Sequence, residues 1–322
     1  RQRQMCIRDR YKLKKFKKLI SFYFILKYVF SMTERSKGLL ITFLGVLFVV
    51  PDSLFVRLID SDPMTTAFWR GLIGGSLIFL VLIFSKGISV FKPVMGSGYS
   101  GIIYIFLIGS TTPAFVLAVT YTSVANVVFI FASIPIFALI FSYIFIGEKI
   151  LLSTLITSFI VILGLAIIAY GSKNSEISSW KGDLWALYVS AAYAGALTAL
   201  RKVKEISMVP TVPIAFLGSA LIISIFHFPF GDLNEKFLFF LCHGIFIGIA
   251  SWLLTLGPRY LSSPEVSLLI LLETVFAPIV VWFVIGEFPG YWAIIGGSLI
   301  IVTLFIFNLF KLLKEKNSIK EY

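Results

Sequence analysis

The chain carries ten apolar runs, near 38–59, 67–85, 101–120, 126–146, 152–171, 182–200, 209–229, 237–256, 264–285 and 290–310. A run of about twenty apolar residues spans the roughly 30 Å of a bilayer's hydrocarbon as a helix. Backbone in lipid must satisfy its polar groups within itself, which leaves helices or closed barrels. Composition points the same way: 58% of the 322 residues are hydrophobic, against about 45–50% in soluble domains. The expected fold class is all-α and integral to the membrane, with ten transmembrane helices.

The second constraint is an internal repeat. Tyr121, Ser123, Val127, Phe137-Ala138 and Gly147-Glu148 recur as Tyr260, Ser262, Val266, Phe276-Ala277 and Gly286-Glu287, always 139 residues on. Upstream, Gly109 pairs with Gly248 and Leu117 with Leu256 at the same spacing. A repeat of half a chain means a duplicated architecture. The units expected are a first repeat over 35–171, a second over 182–310 and a basic cytoplasmic tail over 311–322. Five spans per copy is an odd number, so the second copy enters the membrane from the other side. Such inverted five-helix repeats place a binding site at their interface, near the bilayer middle.

The net charge is +12, but its placement reads as membrane orientation and not as nucleic-acid binding. Outside residues 1–31, thirteen Lys and Arg fall on the N-terminal side of the spans and three, Lys173, Lys181 and Lys236, in the opposite loops. The positive-inside rule then puts both termini in the cytoplasm. Arg1 to Arg10 look like translated sequencing-adapter sequence, so fold reasoning starts after them. Met32 fits a start; otherwise residues 11–31 read as a basic extension along the inner surface. Cys6 and Cys242 are too few for a disulfide or zinc framework. There is no Gly-x-x-x-x-Gly-Lys-(Ser/Thr) loop to hold a nucleotide. No cofactor and no metal are expected.

These motifs together resemble the EamA-type members of the drug/metabolite transporter superfamily. The carriers are Ile146-Gly147-Glu148-Lys149 and Ile285-Gly286-Glu287, the turns Tyr121-Thr-Ser-Val-Ala and Tyr260-Leu-Ser-Ser-Pro, Pro135, and Phe68-Trp69-Arg70. The resemblance covers about residues 35–310. It implies two five-helix halves and a transporter, with export as the direction. Two departures stand out: Glu273 is followed by Thr274 where the family has proline, and Glu287 by Phe288 where it has a basic residue.

Charges inside hydrocarbon cost energy, so each one asks for a reason. Asp52 follows Pro51 in the first span, where proline frees a carbonyl and is expected to kink the helix. It reads either as a substrate or proton site or as the partner of a nearby Arg. Glu273 is the deepest charge by position and reads as a cavity-facing carboxylate or a helix–helix hydrogen-bond donor. Arg70 reads as an anion-binding fork or an ion-pair member, and Arg57 as a snorkelling side chain. Asn126, Trp252, Tyr193, Tyr121 and Tyr143 are candidate cavity-lining groups. His243 reads as a packed neutral imidazole bound to a neighbouring helix, and His227 as a surface group. Glu148 and Glu287 are expected as structural turns that cap the following helix. The reading is a secondary transporter of a small organic solute, in a bacterial-type cytoplasmic membrane, proton-coupled or an exchanger. Its partners are the solute and the bilayer, without nucleic acid; a homodimer stays open. The alternatives are a membrane-embedded enzyme on a lipid substrate and a non-transporting sensor. Zwitterions, organic cations and neutral metabolites all remain open as substrates.

Overall fold

The structure, a computed structural model, describes residues 33–122, 127, 130–131, 133–149, 151–171, 179–230, 233–285 and 291–320. Asn126, Glu287 and the stretch 1–31 therefore lie outside the described residues. The chain divides into two compact units, Arg1–Lys37 and Gly38–Tyr322. The described part of the first is one helical turn, held by a 2.7 Å ion pair between Lys37 and Glu34.

Helix α1 (Glu34–Val49) gives way at Pro51 to α2 (Asp52–Ile59). Proline has no N–H to continue the ladder, so the break falls where the sequence puts the kink. Helices α3 (Pro63–Lys86), α4 (Gly98–Tyr121), α5 (Ile134–Ile146) and α6 (Leu152–Gly171) complete the first copy. Helices α7 (Trp180–Lys202), α8 (Thr211–Phe226) and α9 (Leu233–Tyr260) open the second. Then α10 (Ser263–Ile270) breaks at Leu271 into α11 (Leu272–Ile285), and α12 (Tyr291–Lys320) follows. Helix α12 carries straight through most of the expected basic tail.

Helix thus lies within each of the ten expected runs, but not all are equally apolar. Among the described residues, five helical stretches are long and apolar enough to cross a membrane, and four more are apolar but shorter. Helix α7 is in neither group. Its buried positions include Ala186, Ala192, Ala194, Ala196 and Ala199, so small side chains make up much of its packed face. The outward faces of other helices carry Phe84, Phe106, Phe159, Leu221 and Phe283, all exposed. In water such faces would drive association; they suit a lipid solvent.

The packing respects the duplication. Helix α3 lies on α8 and α6 on α12, each pairing equivalent elements of the two copies, while α5, the counterpart of α11, lies on α10. The contact of α4 with α8 is mirrored by that of α9 with α3, and the contact of α4 with α7 by that of α9 with α2. The match reaches single residues. A Cβ on Gly109 would stand 3.1 Å from the Ala215 carbonyl oxygen, and one on its repeat partner Gly248 would stand 3.1 Å from that of Gly74. Lipid supplies no hydrophobic drive between helices, so close backbone approach at small residues holds them together. A Cβ on Gly244 would collide with the Cβ of Ile73. Gly244→Ala should therefore destabilise by about 1–3 kcal/mol, read as a lower Tm in detergent.

The Gly-Glu turn also has a physical cause. Gly147 sits at φ +76°, and the amide of Glu148 returns to the Ser142 carbonyl at 3.2 Å. This is a helix stop in which a residue at positive φ satisfies the last carbonyls, the place where glycine is favoured. Gly147→Ala should cost about 1–2 kcal/mol, with Gly147→Asn costing less; thermal unfolding of the pair checks the order.

Candidate functional site

Two side chains from the first copy and one from the second meet in the interior. Asp52 opens α2 just past the Pro51 break and is 2% exposed. Arg70 lies two turns into α3, whose start is set by Asp62; that carboxylate accepts from the amides of Met64 at 2.8 Å and Thr65 at 3.1 Å. Arg70 donates to both carboxylate oxygens of Asp52, from Nη2 at 2.7 Å and from Nε at 3.3 Å. His243 of α9 lies 2.5 Å from the Asp52 Oδ1 through Nε2. An ionised carboxylate only accepts, so Nε2 carries the hydrogen. The other ring nitrogen, Nδ1, has no hydrogen-bond partner among the described residues, which fits the neutral tautomer. Phe55 stacks on the imidazole at 5.6 Å, and the Arg70 guanidinium carbon lies 5.2 Å from the centre of the Phe115 ring.

This cluster borders a cavity between the copies. One chamber, of about 80 Å³, is lined by Asp52, Arg70, Phe115, Phe131, Tyr193 and Glu273, among others. A second, of about 70 Å³, shares Arg70, Thr111 and Tyr193 with the first and adds Tyr104, Ser251 and Thr255. Tyr104 and Thr255 bridge the copies by a 2.7 Å hydrogen bond. A solute site typically needs about 300 Å³ or more, so these chambers hold a few waters or one head group.

Glu273 stands in the first turn of α11, immediately after the Leu271 break. There the Thr274 amide returns to the Leu271 carbonyl at 3.1 Å, and the Thr274 hydroxyl donates to the same oxygen at 2.6 Å. Asp52 and Glu273 thus each begin the second half of a broken helix, where free amides and the helix dipole favour negative charge. Broken helices of this kind surround the substrate sites of repeat-built transporters. Glu273 makes no ion pair among the described residues.

The other sequence candidates fall into place around this centre. Tyr193 lines both chambers. Trp252 is half-buried against an apolar cluster with Leu256 and is not a lining residue of either chamber. Tyr121 and Tyr143 are exposed, as is Arg57. His227 joins the mouth of α3, 3.2 Å from Asp62 and 3.1 Å from the Thr65 hydroxyl. Glu148 is taken up by Arg201 of α7 at 2.7 Å, and Arg201 also donates to the Pro258 carbonyl at 3.1 Å. Through Arg201 the turn is thereby tied to the second copy. Thr111, Phe115, Phe131, Tyr104 and Thr255 were not singled out by sequence. Tyr104 had one signal: it occupies the repeat position of His243. Among the described residues, no group of three His, Cys, Asp or Glu could hold a metal ion.

A duplicated helical bundle with broken helices and a charged central cavity defines a repeat-built membrane protein. The model of the EamA-like transporter family matches residues 36–170 and again 180–309. The chain belongs to that family, and with it to the membrane transporters of the drug/metabolite superfamily, built as inverted repeats. A solved crystal structure with 18% identity covers 84% of this chain and 96% of its own, with a TM-score of 0.70; at that identity the likeness speaks for the fold alone. No curated protein matches the chain.

Proposed function

We propose that the chain is a secondary transporter that moves small organic metabolites or drugs across a bacterial-type cytoplasmic membrane by alternating access. Ten spans carry it, with both termini in the cytoplasm. Export is the working direction, and a proton gradient or solute exchange is the energy source. One observation carries the reading. Asp52, Arg70 and Glu273 line a single cavity at the junction of two copies, and Glu273 stands there without an ion-pair partner among the described residues. Opening the junction to one side and then the other would expose that cavity in turn.

The test uses purified protein in sealed vesicles. A thermal-shift screen of metabolites and drugs supplies the solute, and its flux is followed under an imposed pH gradient. The expected result is protein-dependent solute movement whose rate responds to the gradient or to solute on the far side. Binding with no movement under either drive would contradict the proposal.

A further inference from the structure

We propose that the cavity recognises organic monocations, with Glu273 binding the ammonium group and, once the chamber opens, an apolar or aromatic body lying along Phe131 and Tyr193; this rests on the transporter reading above. The first ground is a charge count. Among the described residues, the carboxylates and cationic side chains lining the Glu273 chamber are Asp52, Arg70 and Glu273. Asp52 and Arg70 offset each other through two hydrogen bonds, and His243 takes a further lone pair on Asp52. Glu273 is left as the one negative charge in excess. A carboxylate in such surroundings is neutralised by a proton or by a cation. The solute and a proton would therefore occupy Glu273 in turn.

The second ground is the repeat. The position of Glu273 in the first copy is Ile134, and Ile134 lines the same chamber. One copy builds this wall with an apolar residue, so the shared fold does not require a carboxylate there. The third ground is the aromatic wall. Phe115 already meets the Arg70 cation and packs on Phe131 at 6.1 Å between ring centres. Aromatic faces attract organic cations, and more strongly when water is excluded. An anion would add to the excess negative charge. A zwitterion would bring a carboxylate to an Arg70 whose charge Asp52 already offsets.

Three probes of similar shape and different charge test this: 2-phenylethylammonium, phenylalanine and 3-phenylpropionate. Binding to the purified protein is measured by calorimetry, and flux in vesicles. The expected result is that the cation binds at least tenfold tighter than the other two. Glu273→Gln should weaken the cation at least tenfold without changing the order of the other two. Equal or tighter binding of phenylalanine or 3-phenylpropionate would overturn the inference. So would full cation affinity in Glu273→Gln, or no binding of the cation. Flux of the zwitterion or the anion without the cation would sink this inference and leave the transporter reading standing. A cation held through Glu273 that never crosses would support the inference and count against transport.

Discussion

Arg70→Met is expected to destabilise the protein by about 3–5 kcal/mol, because it leaves the buried Asp52 carboxylate without its cation. That corresponds to a fall in Tm on the order of 10 °C. Asp52→Asn strands the guanidinium in the same way and should lose both stability and transport. The double variant Asp52→Asn/Arg70→Met removes both charges. The carboxamide oxygen that replaces the Asp52 carboxylate can still accept from His243 Nε2, so no charge is left unpaired and only the neutral amide NH2 lacks a partner. Its Tm should lie above that of Arg70→Met alone, since groups in one network couple strongly. Transport should nonetheless stay absent, because both side chains line the cavity. Losses that simply add in the double variant would mean that the pair does not hold α2 to α3.

Glu273→Gln should behave in the opposite way. Glu273 makes no ion pair among the described residues, so its neutralisation strips no neighbour of a direct partner. The amide keeps its shape, and Tm should move by no more than about 2 °C, less than 1 kcal/mol on this scale. A charge-assisted hydrogen bond to a solute is worth about 1.5–3 kcal/mol, so transport should fall by about ten- to a hundredfold. The contrast between a stability residue at Asp52 and a transport residue at Glu273 follows from their partners, not from their depth. Vesicle flux and thermal unfolding on the same preparations check both halves. An unfolded Glu273→Gln variant, or one that transports at full rate, would remove Glu273 from the solute site.

Much of this was legible along the chain. Apolar runs of the right length marked the helices, the 139-residue repeat marked the halves, and Pro51 marked the first break. Asp52, Arg70 and Glu273 stood out because charge is expensive where they lie. What sequence could not supply was pairing. His243 reaches Asp52 from 191 positions away, and Arg201 reaches Glu148 from 53. Those meetings depend on α9 settling against α2 and on α7 meeting the end of α5. The Leu271 break was also hidden, because it is made by a backbone turn and the Thr274 hydroxyl instead of by proline. Helix α7 shows the limit of hydropathy: the buried face of a helix can be built largely of alanine. The cavity walls at Thr111 and Phe131 look like ordinary span residues until the copies close around them.

The central claim is that the chamber between the copies opens to each side of the membrane in turn. Thr111 lines both chambers, so a cysteine there reports on them directly. With Cys6 and Cys242 replaced by Ser, Thr111→Cys in sealed vesicles is treated with a membrane-impermeant thiol reagent, added outside or enclosed within. The account predicts labelling from both sides, slowed by bound solute, while a cysteine at the outward-facing Phe159 stays unlabelled. Labelling of Thr111→Cys from one side alone, whatever the solute or gradient, would contradict it.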